Sequence, residues 1–215
     1  PGAKKDMYQG FNIIDADAHF YEPIDIWDKY LEQEFRARSP KVIEYDGRAR
    51  MRYEGDGILF TNSGILSGSR RYQTMEKKYG DAYHAWWDMK SRLNDMDKYG
   101  WDIQVCLPTN GYLGALISRK DIKFGAALVR AFNNWARDFC DEAPDRVKFV
   151  SVVPGGDPAE VITEARRSVE KLDAVSVTLE STAPGKMWHY ADYDSLWETA
   201  VELDFPLSVH GSQSK

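Results

Sequence analysis

Five short runs rich in β-branched residues, separated by longer stretches of helical period, constrain this chain more than any other feature. Residues 11–15, 103–107, 147–153, 174–179 and 206–210 read as strands. Pro108 stops the second, and Pro154-Gly155-Gly156 stops the third. Between them, Phe124, Leu128, Phe132, Trp135 and Phe139 lay one apolar stripe along a helix. Asp157-Pro158-Ala159-Glu160 opens another helix with an N-cap, a proline at the first helical position and a capping-box acid. Val161, Ile162, Ala165, Val169 and Leu172 form its inward face, and a last helix uses Tyr193, Leu196, Trp197, Ala200, Val201 and Leu203. Strand and helix recurring in this way give an α/β chain with a parallel sheet.

Residues 41–73 break the rhythm. Asp46-Gly47, Gly55-Asp56-Gly57, Gly64 and Gly68 punctuate short runs, which predicts an antiparallel hairpin inserted after the first strand. Tyr45, Arg48, Arg50, Arg52 and Tyr53 would make it a substrate lid; a solvated hairpin or an interface arm fits the same residues.

Composition removes several classes of function. Against 34 Asp and Glu stand 28 Lys and Arg, a formal charge of −6, so no basic stripe for nucleic acid is expected. Hydrophobic residues make up 43% of the 215, enough for a core and too many for a disordered chain. The apolar runs fall far short of the ~20 residues needed to span a membrane, and the opening Pro1-Gly2-Ala3-Lys4-Lys5-Asp6 carries no leader-like apolar stretch. Cys106 and Cys140, the two cysteines, read as buried core thiols rather than nucleophiles or ligands, which fits a reducing, cytoplasmic setting.

The chemistry concentrates in Asp15-Ala16-Asp17-Ala18-His19. On a regular strand, period 2 aims Asp15, Asp17 and His19 at one side, at the end where α/β folds place their ligands. Two carboxylates and an imidazole crowded together need a cation, and zinc, manganese or iron accepts such mixed oxygen and nitrogen donors. The competing reading is an Asp-rich turn capped by His19. His210 tips the balance: it ends the fifth strand just before Gly211, where a metal shared across a barrel could be reached. His84, in Tyr83-His84-Ala85-Trp86-Trp87, and His189, in the loop after the fourth strand, are candidate substrate contacts. Arg166 and Arg167 read as solvated ion-pair partners on a helix.

These segments resemble a known family. Ile14-Asp15-Ala16-Asp17-Ala18-His19 followed by Glu22-Pro23 is similar to the opening of the amidohydrolase-related metal-dependent barrel proteins, in the decarboxylase/hydrolase group that includes aminocarboxymuconate-semialdehyde decarboxylase. The match continues through Arg92-Leu93-Asn94-Asp95-Met96-Asp97, Gly100-Trp101-Asp102, Leu107-Pro108-Thr109, Phe132-Asn133-Asn134-Trp135, Pro144-Asp145-Arg146 and Tyr193-Asp194-Ser195-Leu196-Trp197 to Phe205-Pro206 and His210. The resemblance implies a (β/α)8 TIM barrel and a divalent metal ion. It places Asp17 and His19 on the two first-strand ligand positions and His210 on the fifth-strand one. Asp17 departs from the family's commoner His or Glu. Glu180, at the end of the fourth strand, falls where some relatives carry a bridging carboxylate, so Glu180 and Asp15 are additional metal or supporting candidates.

By that resemblance the chain is an enzyme acting on a small molecule. The expected activity is hydrolysis, with metal-activated water attacking an ester, thioester, lactone or amide carbonyl. The preference rests on the anionic, water-binding character of Asp-x-Asp-x-His. The alternatives are non-oxidative decarboxylation of an aromatic or unsaturated acid and a non-catalytic half-barrel that binds a partner. A barrel of this type takes about 250 residues. Five units, the 41–73 insertion and an N-terminal arm account for the 215 here. Residues 1–215 are therefore expected to form the N-terminal portion of one domain. A C-terminal companion chain would complete the barrel, and the assembly would be oligomeric. The resemblance puts the catalytic acid or base in that remainder, beyond Lys215.

Overall fold

The apolar runs pair edge to edge into one parallel sheet, seen in a computed structural model that describes residues 10–23, 25–45, 48–52, 70–180 and 188–210. Its strands are β1 (Ile14–His19), β4 (Ile103–Leu107), β5 (Val147–Val152), β6 (Ser176–Leu179) and β7 (Leu207–Val209), in the spatial order β1-β4-β5-β6-β7. Sequential order and a uniformly parallel sense are the arrangement of consecutive barrel units. β1 starts at Ile14 rather than at 11, so the Asp15–His19 cluster lies within the strand.

Helices cover the sheet: α1 (Ile26–Tyr30), α4 (Met89–Tyr99), α5 (Tyr112–Ser118), α6 (Ile122–Cys140), α7 (Pro158–Leu172) and α8 (Asp194–Glu202). Asp121 caps α6 by accepting from Phe124 N at 3.1 Å, and Asp157 caps α7 by accepting from Ala159 N at 2.9 Å. The α6 stripe is buried from Phe124 to Trp135 and half-buried at Phe139, with Phe124, Leu128 and Phe132 wholly inaccessible. Phe20, just past β1, sets its ring edge-on to Phe132, Trp135 and Phe139, which ties β1 to α6. Burial of each such side chain is worth about 1.5–3 kcal/mol. A second cluster joins Val161 and Ala165 of α7, Val177 and Leu179 of β6, and Tyr193, Leu196 and Phe205 around α8. On α8 the expected inward set is smaller than the sequence suggests, because Val201 and Trp197 are exposed.

Two helices meet through a glycine. A Cβ at Gly125 of α6 would sit 2.1 Å from Ser118 N at the end of α5, so only glycine admits that approach. A buried polar network links α6, β5 and α7: Asn133 Nδ2 donates to Val152 O (2.9 Å) and Glu164 Oε1 (2.6 Å), while Val152 N donates to Asn133 Oδ1 (3.0 Å). Arg167 is less solvated than expected, pairing with buried Glu164, whereas Arg166 bonds Glu170 and Glu202 at the surface. Cys106 and Cys140 are buried free thiols, and burial pushes both up, Cys106 to about 11.

The predicted hairpin exists as β2 (Lys41–Tyr45) paired antiparallel with β3 (Arg48–Arg52), Lys41 opposite Arg52 and Tyr45 opposite Arg48. The insertion is not all strand: helix α2 (Arg70–Tyr79) begins inside the 41–73 span, followed by the short α3 (Asp81–His84). Tyr53 and the lid role given to the hairpin's side chains lie outside the described residues. So does Lys215, the position beyond which the catalytic acid or base is expected; the described residues reach Val209 of β7 and His210. Among the described residues, no helix is long and apolar enough to cross a membrane.

Candidate metal centre

β1 does not run in simple period-2 register. Asp15 pairs with Gln104 and Ala18 with Cys106, so three steps on β1 match two on β4 and one extra residue bulges. The bulge corrects the expectation that both acids point the same way. Asp15 shares the face of buried Gln104 and Ala18, toward the helices. There its Oδ2 accepts from Gln104 Nε2 at 3.3 Å, and its Oδ1 accepts from Asp17 N at 3.1 Å. Asp15 also lines a 230 Å³ cavity with His19, Arg92, Asp95 and Trp101. Beyond the bulge, Asp17 and His19 share the opposite side.

On that side the sheet brings together Asp17, His19 and His210. Each offers one ligand atom, and the three lie within 4.8 Å of one another. His210 follows β7, at the far edge of the sheet from β1. Its Nε2 lies 3.1 Å from Asp17 Oδ1, His19 Nε2 lies 3.9 Å from the same oxygen, and the two imidazole centroids are 5.0 Å apart. Curvature of the sheet is what closes this distance between its first and last strands.

The protonation of His19 follows from its neighbours. Its Nδ1 is 3.2 Å from Pro108 O, which can only accept, so Nδ1 carries the hydrogen. Thr109 Oγ1, 3.3 Å from the same nitrogen, already donates its own proton to Phe20 O at 2.6 Å and can only accept here. The Nε2 lone pair is therefore turned to Asp17 and His210. Burial, with His210 alongside, holds the imidazole below its ordinary value against the pull of Asp17, which keeps it neutral. Two imidazole nitrogens beside an exposed carboxylate suit a borderline divalent cation.

The other candidates stand apart from this trio. Glu180 is ion-paired with Arg119 at the end of α5. Burial raises its carboxyl, with Arg119 opposing the rise. His84 Nε2 sits 3.2 Å from Glu76 Oε1 in an exposed pair. His189 is exposed, edge-on to Tyr190 at 4.9 Å. Three supporting residues escape the sequence reading. Glu22 and Thr109 are visible only as parts of recurring segments. Tyr112, whose hydroxyl is 3.3 Å from His210 Nδ1 and 3.3 Å from Thr178 Oγ1, carries no local signal, since its partners lie 98 and 66 residues away.

The amidohydrolase family profile matches residues 14–214. This chain belongs to the amidohydrolase family. Among curated proteins, a 67-residue stretch is 39% identical to the decarboxylase orsB of Emericella nidulans, covering 31% of this chain and 20% of that protein. Among solved structures, an amidohydrolase from Mycobacterium avium subsp. paratuberculosis superposes with a TM-score of 0.71 at 21% identity, over 95% of this chain and 60% of the other. A 5-carboxyvanillate decarboxylase from Novosphingobium aromaticivorans, complexed with manganese and 4-hydroxy-3-methoxy-5-nitrobenzoic acid, gives 0.65 at 22% identity, over 98% and 53%. This amidohydrolase-family chain thus has the fold of a partial TIM barrel and spans little more than half the length of those two structures.

Proposed function

We propose that this chain carries the metal-binding part of a metal-dependent, non-oxidative decarboxylase of an aromatic carboxylic acid. The observation that carries the reading is the convergence of Asp17, His19 and His210 in a chain whose curated relative is a decarboxylase. Asp17 Oδ1, His19 Nε2 and His210 Nε2 are the donors assigned to a divalent ion, with manganese, zinc and iron as candidates. When bound, such an ion would act as a Lewis acid toward the substrate's carboxylate and neighbouring oxygen. The net reaction would break the bond between ring carbon and carboxyl carbon, releasing carbon dioxide, while an acid gives the ring carbon a proton. In this reading the proton donor comes from the remaining barrel units, in a companion chain or a longer form of this one.

The structure weakens the argument for hydrolysis. That argument needed two carboxylates on the site, and the bulge in β1 turns Asp15 away, leaving one. Glu180, the other candidate carboxylate, is ion-paired with Arg119.

The test incubates the manganese-loaded protein, together with the remaining barrel units, with 2,6-dihydroxybenzoate and 5-carboxyvanillate, following carbon dioxide release and the decarboxylated phenol. Matching carbon dioxide and phenol support the reading. Turnover of esters or lactones without carbon dioxide would return the assignment to hydrolysis. Failure to bind metal at all would favour a non-catalytic binding subunit.

A further inference from the structure

Both histidines of the trio are touched from behind by one short segment, residues 108–112, which joins β4 to α5. Its first part meets His19, through Pro108 O at 3.2 Å and Thr109 Oγ1 at 3.3 Å from Nδ1. Its last residue meets His210, with Tyr112 Oη at 3.3 Å from Nδ1 and the two rings stacked at 6.3 Å and 17°.

Between these contacts the segment is held by a single buried side chain. Glu22, 1% exposed, takes the backbone N–H groups of Thr109 (2.8 Å), Asn110 (2.9 Å) and Gly111 (3.2 Å) on its Oε1, and Asn110 Nδ2 (3.2 Å) on its Oε2. Gly111 lets the segment lie flat on the core, since a Cβ there would come 2.7 Å from the Phe132 ring. Three consecutive amides converging on one carboxylate fix the path of the backbone. The positions of Thr109 and Tyr112 follow from that path. Tyr112 is further pinned by Thr178 Oγ1 of β6 at 3.3 Å.

We propose that residues 108–112, anchored by Glu22, form one brace that sets the ring orientation and tautomer of both His19 and His210. Glu22, Thr109 and Tyr112 are then positioning residues: none is among the three donors, and each acts through a histidine. With Tyr112 Oη held between His210 Nδ1 and Thr178 Oγ1, the Nε2 atoms of both rings are turned to Asp17, that of His210 at 3.1 Å. Outer partners of this kind typically alter metal affinity by about 10–100-fold when removed. The inference rests on the metal reading above but is measurable without it.

The experiment records histidine 15N spectra of the metal-free protein and its Co2+ affinity by competition with a chelating dye. Thr109→Val is expected to change the nitrogen signals of His19 alone, Tyr112→Phe those of His210 alone, and Glu22→Gln those of both. Each variant should weaken Co2+ binding by about tenfold or more, while far-UV circular dichroism stays that of the parent. Unchanged histidine spectra in Tyr112→Phe and Thr109→Val, or affinities within about twofold of the parent, would overturn the brace. If Glu22→Gln fails to fold, the complementary pattern of the other two variants decides. His210→Ala separates the two ideas: normal Co2+ binding in that variant defeats the metal reading, while the spectra of the metal-free protein still judge the brace.

Discussion

Asp17 Oδ1 stands 3.1 Å from His210 Nε2, although the two residues lie at opposite edges of a five-stranded sheet. The contact makes cation binding depend on strands distant in sequence. Asp17→Asn and His210→Ala are each expected to lower affinity for Mn2+ or Zn2+ by about 100-fold or more, beyond the effect of an outer partner. Isothermal titration of the two variants checks this, and parental affinity in either one removes that residue from the donor set.

Asn133 joins α6 to β5 and α7 through a wholly buried amide. Asn133→Ala leaves Val152 N and Val152 O without that partner, and strips Glu164 of one donor. The expected loss is about 2–4 kcal/mol. Urea unfolding measures it, and a loss below about 1 kcal/mol would mean that water replaces the amide.

Gly125→Ala pits two effects against each other. Alanine in a helix gains about 1 kcal/mol of intrinsic propensity. Here its Cβ would meet backbone, 2.1 Å from Ser118 N, where no side-chain rotation relieves the overlap. The steric cost of about 1–3 kcal/mol or more for such overpacking wins, so a lower melting temperature is expected. A raised one would show that α5 gives way freely.

Tyr30 Oη donates to Asp138 Oδ2 at 2.8 Å, and burial, with that carboxylate, pushes the phenol up to about 12. The folded pKa is raised above the unfolded value near 10, so this contribution is fully present below pH 10 and is lost as pH rises toward 12. Tyr30→Phe should cost about 1 kcal/mol at neutral pH and lose stability less steeply above pH 10. Parallel alkaline unfolding curves for parent and variant would contradict this.

Most of the architecture is legible because hydrophobic period and capping residues are local. The α6 stripe from Phe124 to Phe139 and the Asp157 cap stand where the sequence puts them. The convergence of Asp17, His19 and His210 is legible through position: strand ends on the same side of a parallel sheet approach one another, so His19 and His210 can be paired on paper. Asp15 is misread because a bulge depends on the partner strand's register, which no alternation of residues within β1 reveals. Val201 and Trp197 are misread because an amphipathic face shows which residues are apolar, not how wide a neighbour is available to cover them. The role of Tyr112 is invisible for a different reason, since contacts with Thr178 and His210 arise only when the four strands β4 to β7 are laid side by side.

The extra residue in β1 makes that strand a sorter of like charges. Asp15 and Asp17, chemically identical and facing the same side in a regular strand, are dealt to separate layers: Asp15 to a neutral amide among the helices, Asp17 to the imidazoles. Mutual repulsion is relieved by geometry rather than by a change of residue type. Deleting Ala16 would remove the bulge and still keep the acids apart, since adjacent residues of a regular strand face opposite ways. Lengthening β4 by one residue between Gln104 and Cys106 would do the reverse. The extra residue of β1 would then find a partner, and Asp15 would swing across to the side of Asp17 and His19, crowding the strand end that the bulge now keeps open.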